Sequence, residues 1–361
     1  MEVEKKKDGA FWIRYVITWI ILFYAGVASF LISPVVLVFL FSFTLPVIIF
    51  HSKSRILVMT VFARLTNLQF VTCMRIIGAK VMISGDNLEK LVDCRALVLP
   101  NHLNIFDHFI FMTAAESFGI KAFGRWIFVI YNMWIYTPLG LVWGTYGNYF
   151  VNTVHSSKRE MVLRNIREHF DKIYYERDLR WVCLYPEGSR LFLLKKGNAK
   201  FEKDNNLPTL TNCAYPRLGA ALSALKVLGP DPKNPEKSNN GRGPPLKYLV
   251  DVTLGYPNKA QGSVFDIFYN SLLYGNEGPF AIHYETFDMD PKWSEEEELR
   301  KFLFDRYQKK DKLLEDYYKT GSFSKNAKEA PMPSDLLIVS VQLFQFVVFA
   351  ALVRLVLSFF I

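Results

Sequence analysis

Thirty-six consecutive residues, Tyr15 to Phe50, contain no Asp, Glu, Lys or Arg, and eighteen more, Leu336 to Val353, repeat the pattern before Arg354 and a last apolar run to Ile361. A helix needs about 20 apolar residues to cross the hydrocarbon core of a bilayer. Blocks of this length exclude a freely soluble chain and a disordered one. The roughly 280 residues between them are enough for one large folded domain with its own core. A secretory signal has an apolar stretch of only about 7–15 residues, so the first block reads as an anchor. As one helix its 36 residues would reach about 54 Å, too long for a ~30 Å core without steep tilt. Pro34 and Pro46 interrupt it, and a helical hairpin bent near Ser33-Pro34 is the expected solution. The next segment, His51 to Lys80, carries Lys53, Arg55, Arg64, Arg75 and Lys80 with no acid, which places that flank on the cytosolic side by the positive-inside rule. The expected organisation is an anchor over 1–50, a cytosol-facing domain over 51–330 and a C-terminal transmembrane helix over 331–361.

The net charge of +9 is concentrated in two places. Residues 51–80 hold five basic residues and no acid, and residues 158–203 hold twelve against seven. No stacking motif or recognition-helix pattern supports a nucleic-acid partner. Beside membrane segments such patches suit anionic lipid headgroups or a phosphate-bearing substrate. The four cysteines, Cys73, Cys94, Cys183 and Cys213, show no short pairing, and no Asn-x-Ser/Thr sequon occurs. Both features agree with a reducing, cytosolic face. Without CxxC or HxxxH spacing, no zinc site and no metal is expected.

Between the apolar ends, Lys80–Ser84, Arg95–Leu99, Trp181–Tyr185, Lys247–Gly255 and Phe280–Phe287 read as strands. Asn104–Phe118 and Lys158–Arg177 read as helices, the second amphipathic with Met161, Ile166, Phe170, Ile173 and Tyr174 on one side. Ser294 with Glu297 makes a capping box for a helix running to about Tyr318. Asp231–Pro245 reads as a flexible loop, rich in Pro, Gly and Asn. Trp126 to Ser157 is uncharged but punctuated by Pro138, Gly140, Gly144 and Gly147, so it suits an aromatic surface at the headgroup level, or a core layer, better than a third span. Strands alternating with helices define an α/β domain.

The chemistry should lie in Pro100-Asn101-His102-Leu103-Asn104-Ile105-Phe106-Asp107-His108. On one continuous helix His102 and Asp107 would stand about 140° apart. They meet only if His102 sits on the turn after a strand and Asp107 in the first turn of a helix, with Asn104 as candidate cap. The pair then resembles a base with its orienting carboxylate. His283 and Asp288 repeat the spacing along a strand, where residues five apart face opposite ways, so that copy reads as structural. His108, His155 and His169 have no distinctive partner. A second string, Tyr185-Pro186-Glu187-Gly188-Ser189-Arg190, ends an apolar strand with a carboxylate, a tight turn and a guanidinium suited to phosphate.

In this order and about eighty residues apart, the two strings resemble the blocks of the glycerolipid acyltransferase family, an Asn-His-x4-Asp block and a Phe/Tyr-Pro-Glu-Gly block. Gly147-Asn148-Tyr149-Phe150-Val151-Asn152 is similar to the family's intermediate Gly-x-x-Phe-x-Arg block, with Asn152 standing where the family has Arg. Val252 to Pro257 is similar to the fourth, proline-ended block. Asn205 to Pro208, Pro216 to Ala220 and Tyr318 to Phe323 resemble the acyl-CoA:lysophosphatidylglycerol acyltransferase branch.

The resemblance implies an α/β fold with a mixed central sheet flanked by helices. It also implies an enzyme of the endoplasmic reticulum membrane that transfers an acyl group from acyl-CoA to a lysophospholipid hydroxyl, as in phospholipid remodelling, with acyl-CoA as co-substrate and no other cofactor. In that reading His102 is the general base, oriented by Asp107, and the substrate contacts fall to Gly147, Phe150, Asn152, Glu187, Gly188, Ser189, Arg190 and Pro257. No Gly-x-Ser-x-Gly elbow is present, so the hydroxyl would attack the thioester directly. The partners are the two substrates and the bilayer; neither nucleic acid nor a protein partner is expected. Two alternatives stay open: acylation of lysophosphatidate or glycerol-3-phosphate, and a catalytically silent membrane scaffold of the same fold.

Overall fold

The computed structural model describes residues 9–152, 158–257, 259, 262–276 and 278–360. His155 and the end of the aromatic stretch lie outside them.

An eight-stranded mixed sheet organises the domain. Its strands are β1 (Val81–Gly85), β2 (Ala96–Pro100), β3 (Trp126–Tyr131), β4 (Tyr149–Val151), β5 (Trp181–Cys183), β8 (Tyr248–Gly255), β9 (Phe280–Asp288) and β10 (Lys328–Glu329), in the order β10-β1-β9-β8-β2-β5-β3-β4. Strands β8, β2, β5, β3 and β4 run parallel, while β9 is antiparallel to β8 and parallel to β1. The expected α/β class and mixed sheet are therefore observed. The apolar run Ala96–Pro100 takes the centre, where every residue of β2 is buried. Ala96 and Val98 face one core and Leu97 and Leu99 the other, the alternation that a pleated strand imposes.

On the first face lie α3 (Ser52–Ile76), α4 (Asp107–Ala114), α5 (Pro138–Thr145) and α9 (Val264–Tyr274). On the second lie α6 (Arg159–Ile173), α8 (Gly219–Leu228) and the start of α10 (Glu296–Thr320). Helix α7 (Leu191–Asp204) leaves the end of β5 and reaches a third small cluster around Tyr215, Tyr307 and Leu314. In α6 the buried stripe is Ile166, Phe170 and Ile173, continued by Tyr174, whereas Met161 is exposed. Helix α10 has Glu296, Glu297 and Glu298 in its first turn and Lys319 in its last, which complements the helix dipole, and it ends on Gly321 in the left-handed conformation.

Three expectations are corrected. Residues 9–50 do not double back at Ser33-Pro34: α1 (Gly9–Val27) continues through a π-helical stretch, Ala28–Ile32, into α2 (Ser33–Phe50). The wider π turn just before Pro34 accommodates a ring that would clash with the preceding α-helical turn. The reversal comes at His51, whose backbone is extended, and α3 returns antiparallel to α2, with Ser29 against Cys73 and Phe41 against Phe62. The basic flank is therefore mostly the helix α3, itself apolar enough to cross a membrane. Second, Asp231–Pro245 is not a structureless loop, because β6 (Pro230–Asp231) and β7 (Asn234–Ser238) form a small hairpin within it. Third, Ser294 does not cap α10. It ends a 3-10 turn, Pro291–Ser294, and its hydroxyl takes the Asn239 amide, while the capping box occurs at Ser263 and Asp266 of α9.

The final apolar block forms α11 (Asp335–Leu357), which packs on α2 and α3. A polar thread joins the helical layer: Tyr24 donates to Gln342, Gln342 to Gln69, and Gln69 to Ser29. Residues Trp126–Phe128 are buried in the sheet, whereas Met133, Tyr136 and Leu141 are exposed, so the aromatic stretch divides between core and surface.

Phe106, fully buried, packs against Phe109, Tyr256, Phe268 and Phe280. Phe106→Ala is expected to lower unfolding free energy by about 3–5 kcal/mol, measured by denaturant unfolding in detergent.

Candidate active site

Strand β2 delivers Asn101 and His102 to the sheet edge at which β3, β5 and β8 also end. Asn101 extends the ladder with its side chain, accepting from Leu254 N at 2.7 Å and donating to Leu254 O at 3.2 Å. The chain then breaks, and Asp107 opens α4. His102 Nδ1 lies 2.8 Å from Asp107 Oδ2, the meeting that the strand–turn–helix break requires. Asn104 does not cap α4 directly. It turns back on Phe106 N at 3.2 Å, and its amide donates to Gly262 O at 2.8 Å.

Asp107 is buried and well supplied with donors. Besides the imidazole, Oδ2 accepts from Leu103 N at 2.8 Å and Asn104 N at 3.1 Å, and Oδ1 accepts from the Tyr256 hydroxyl at 2.5 Å. Burial and the facing carboxylate keep the Tyr256 phenol well above its ordinary pKa, so it remains a donor. With Asp107 accepting from Nδ1–H, Nε2 of His102 is the basic nitrogen. It has no protein partner among the described residues, and the side chain is 21% exposed. The Tyr185 ring stands 4.5 Å from the imidazole.

The second string closes on the first. His102 N donates to Glu187 Oε1 at 2.8 Å, and Leu191 N donates to His102 O at 3.0 Å. Glu187 Oε2 accepts from Ala214 N at 3.3 Å. Glu187 is wholly buried and braces the His102 turn, in place of the substrate contact expected of it. Burial pushes its carboxyl up to about 8, against the opposing pull of the His102 N–H and the Lys310 ammonium. Gly188 has φ +74°, and the Arg217 side chain lies across its open face, 3.2 Å from where a Cβ would stand. Ser189 and Arg190 occupy the turn into α7, and the Arg190 guanidinium covers the Phe192 ring.

Gly147 precedes β4, Phe150 lies in it and Asn152 follows it, three strands from β2. No hydrogen bond or ring contact joins them to His102 among the described residues. Pro257 follows Tyr256 beyond β8. Three further histidines have other tasks. His283 Nδ1 meets Ser84 Oγ at 2.9 Å, and His169 Nε2 meets Gly147 O at 2.8 Å. His108 is enclosed by Phe70, Phe128 and Trp143, where burial lowers its pKa to about 4. Tyr256, Ala214, Arg217 and Lys310 escaped the sequence reading. Tyr256 and Arg217 carried a signal, since they lie in the family-like strings Val252–Pro257 and Pro216–Ala220. No group of acids, histidines and cysteines among the described residues could hold a metal, and the four cysteines are free.

The chain has relatives among known proteins. The family model Acyltransferase C-terminus matches residues 271–345. The Caenorhabditis elegans protein acl-12, whose name provisionally assigns it 1-acyl-sn-glycerol-3-phosphate acyltransferase activity, is 43% identical over 68% of this chain and 63% of its own length. Human acyl-CoA:lysophosphatidylglycerol acyltransferase 1 is 29% identical over 70% of this chain and 69% of its own. The chain thus spans somewhat under two thirds of the first of these relatives. It is a homologue of the glycerolipid acyltransferases. The crystal structure of PlsC, the 1-acyl-sn-glycerophosphate acyltransferase from Thermotoga maritima, covers 78% of this chain and is itself covered to 96%, at TM-score 0.38 and 14% identity. That overlap is loose, and the fold rests on the strand order given above.

Two outcomes are expected. Tyr256→Phe removes a donor from a buried carboxylate, worth about 1.5–3 kcal/mol, and should lower kcat at least about tenfold in steady-state assays. Glu187 binds its proton more tightly folded than unfolded, so its contribution to stability falls as pH rises from its ordinary 4.5 toward about 8. Glu187→Gln should therefore flatten the decline of melting temperature across that range.

Proposed function

We propose that the protein transfers a fatty acyl group from acyl-CoA to the free hydroxyl of a lysophospholipid in the endoplasmic reticulum membrane, with the domain facing the cytosol. The observation that carries this reading is the His102–Asp107 pair, clamped by Glu187 at the end of β2, in a homologue of glycerolipid acyltransferases.

In this mechanism Nε2 of His102 removes the acceptor's hydroxyl proton while Asp107 holds the tautomer and balances the imidazolium. The oxygen attacks the thioester carbonyl, and the tetrahedral intermediate collapses to the ester. The CoA thiolate leaves with the proton from His102, which restores the base. The chemistry involves no acyl-enzyme and calls on no metal. Ser189 and Arg190, at the mouth of the turn, would meet the acceptor's phosphate or glycerol oxygens, and Arg suits that contact because its donors form a planar fork. Gly147, Phe150, Asn152 and Pro257 would line the surrounding acceptor surface.

Three helical segments long and apolar enough to cross a membrane support an interfacial enzyme. Both substrates carry apolar tails, and each methylene kept from water contributes about 0.8 kcal/mol. Lysophosphatidate is a second acceptor to weigh, because the name of the 43% identical relative specifies 1-acyl-sn-glycerol-3-phosphate. Asn152, where the family has Arg, weakens a phosphate contact and weighs toward an acceptor less dependent on it.

The test is acyl incorporation from a panel of acyl-CoA donors into lysophosphatidylglycerol, lysophosphatidylethanolamine, lysophosphatidylinositol, lysophosphatidate and glycerol-3-phosphate in isolated membranes. His102→Ala, expressed to the same level, should reduce incorporation about 10²–10⁴-fold. Equal incorporation by wild type and His102→Ala would leave the scaffold reading instead. Incorporation that persists without acyl-CoA would point to a transacylase.

A further inference from the structure

Below the site lies a buried ammonium that the reaction above does not use. Lys310, on α10, is 1% exposed. Its Nζ donates to Leu99 O at 2.8 Å and Val252 O at 2.6 Å, and it stands 2.7 Å from Asp251 Oδ1. Asp251 in turn pairs with Arg306 Nε at 2.9 Å, and Arg306 reaches Glu285. Simple stability does not account for this lysine. Buried ion pairs recover little beyond their own desolvation, and an apolar residue of the same volume commonly does as well or better.

Its position is more informative. Leu99 and Val252 belong to the neighbouring strands β2 and β8, whose register pairs Leu99 with Asp251 and Pro100 with Val252. Immediately beyond, β2 continues into Asn101 and His102, while β8 continues into Leu254 and Tyr256, the hydroxyl on Asp107. The last rung, Asn101 N to Val252 O, is long at 3.3 Å, and the ammonium shares that carbonyl. Lys310 also acts on Glu187. The groups that bear on this carboxyl are the His102 and Ala214 amides, Asp107, Cys213, Tyr307 and Lys310, and Lys310 is the cation among them. Each Glu187 oxygen accepts one main-chain N–H, the arrangement that suits the carboxylate.

We propose that Lys310 is a positioning residue for the active site: its ammonium, fixed between the ends of β2 and β8 by Leu99 O, Val252 O and Asp251, balances the Glu187 carboxylate that holds the His102 main chain. The inference rests on the acyltransferase reading. It makes α10 part of the working site and makes the charged form of Glu187 the one that aligns His102.

The experiment uses the full-length chain in membranes, with acyl-CoA and lysophosphatidylglycerol, and compares kcat and KM across pH for wild type, Lys310→Met and Glu187→Gln. Without the ammonium Glu187 is harder to ionise. Lys310→Met should therefore lower kcat at pH 7 about tenfold with KM within about twofold, a shift of about one pH unit in the ionisation that supports activity. The deficit should shrink as pH rises through about 8 and beyond. A loss of equal size at every pH, or no loss, overturns the proposal, since weakened folding alone scales activity uniformly. If Lys310→Met does not accumulate, Glu187→Gln decides: its profile should lose the step near pH 8, and a retained step overturns the proposal. An inactive wild type, matched by His102→Ala, would instead remove the acyltransferase reading itself.

Discussion

A buried carboxylate governs the architecture of the site. Asp107 is 1% exposed and would be prohibitively costly as a bare ion, so the chain surrounds it with four donors from two stretches of sequence. The imidazole comes from the end of β2, two amides from the following turn, and a phenol from the end of β8. Those requirements need β8 beside β2, which the sheet order provides. They also need a break between strand and helix over Pro100–Phe106, because a regular helix would separate the pair. Satisfying the charge and orienting the imidazole are thus one structural event.

The turn carrying His102 is fixed equally by its main chain. Its N–H is taken by Glu187 and its carbonyl by Leu191, so the Pro-Glu-Gly-Ser-Arg turn holds the His102 turn like a clasp. The clasp depends on α10. Asp311 accepts the amides of Thr211, Asn212 and Cys213, which precede the Ala214 amide on Glu187. The region that matches the acyltransferase C-terminal model therefore supports the site directly, although no residue in it was singled out for chemistry from the sequence.

The apolar blocks form a layer of their own on one side of this domain. Helices α1, α2, α3 and α11 present large apolar side chains outward, while Gln69, buried between them, pairs with Ser29 and Gln342, and Gln342 takes the exposed Tyr24 hydroxyl. Partnered polar groups are what a helix layer in lipid needs, since hydrocarbon offers no hydrogen bonds. In the proposed reaction this layer keeps lipid tails out of water while the sheet edge carries out the chemistry.

Local sequence by itself determined a good deal. The uncharged blocks at the two ends marked two of the long apolar helical segments, though not α3, the fully apolar Ala96–Pro100 marked a central strand, and the spacing of His102 and Asp107 demanded a break that the fold supplies. Where local signals competed, they failed. Ser294 and Glu297 spelled a cap, but Asn239, fifty-five residues away, claimed the hydroxyl. Pro34 suggested a reversal, but a π turn absorbed it and the chain turned at His51. Only the tertiary structure decided that Glu187 faces inward, that Tyr256 reaches Asp107 across 149 residues, and that Lys310 closes the ends of β2 and β8. Such roles depend on which strands become neighbours, and a buried charge or donor acquires its partner only when distant segments are packed together out of reach of water.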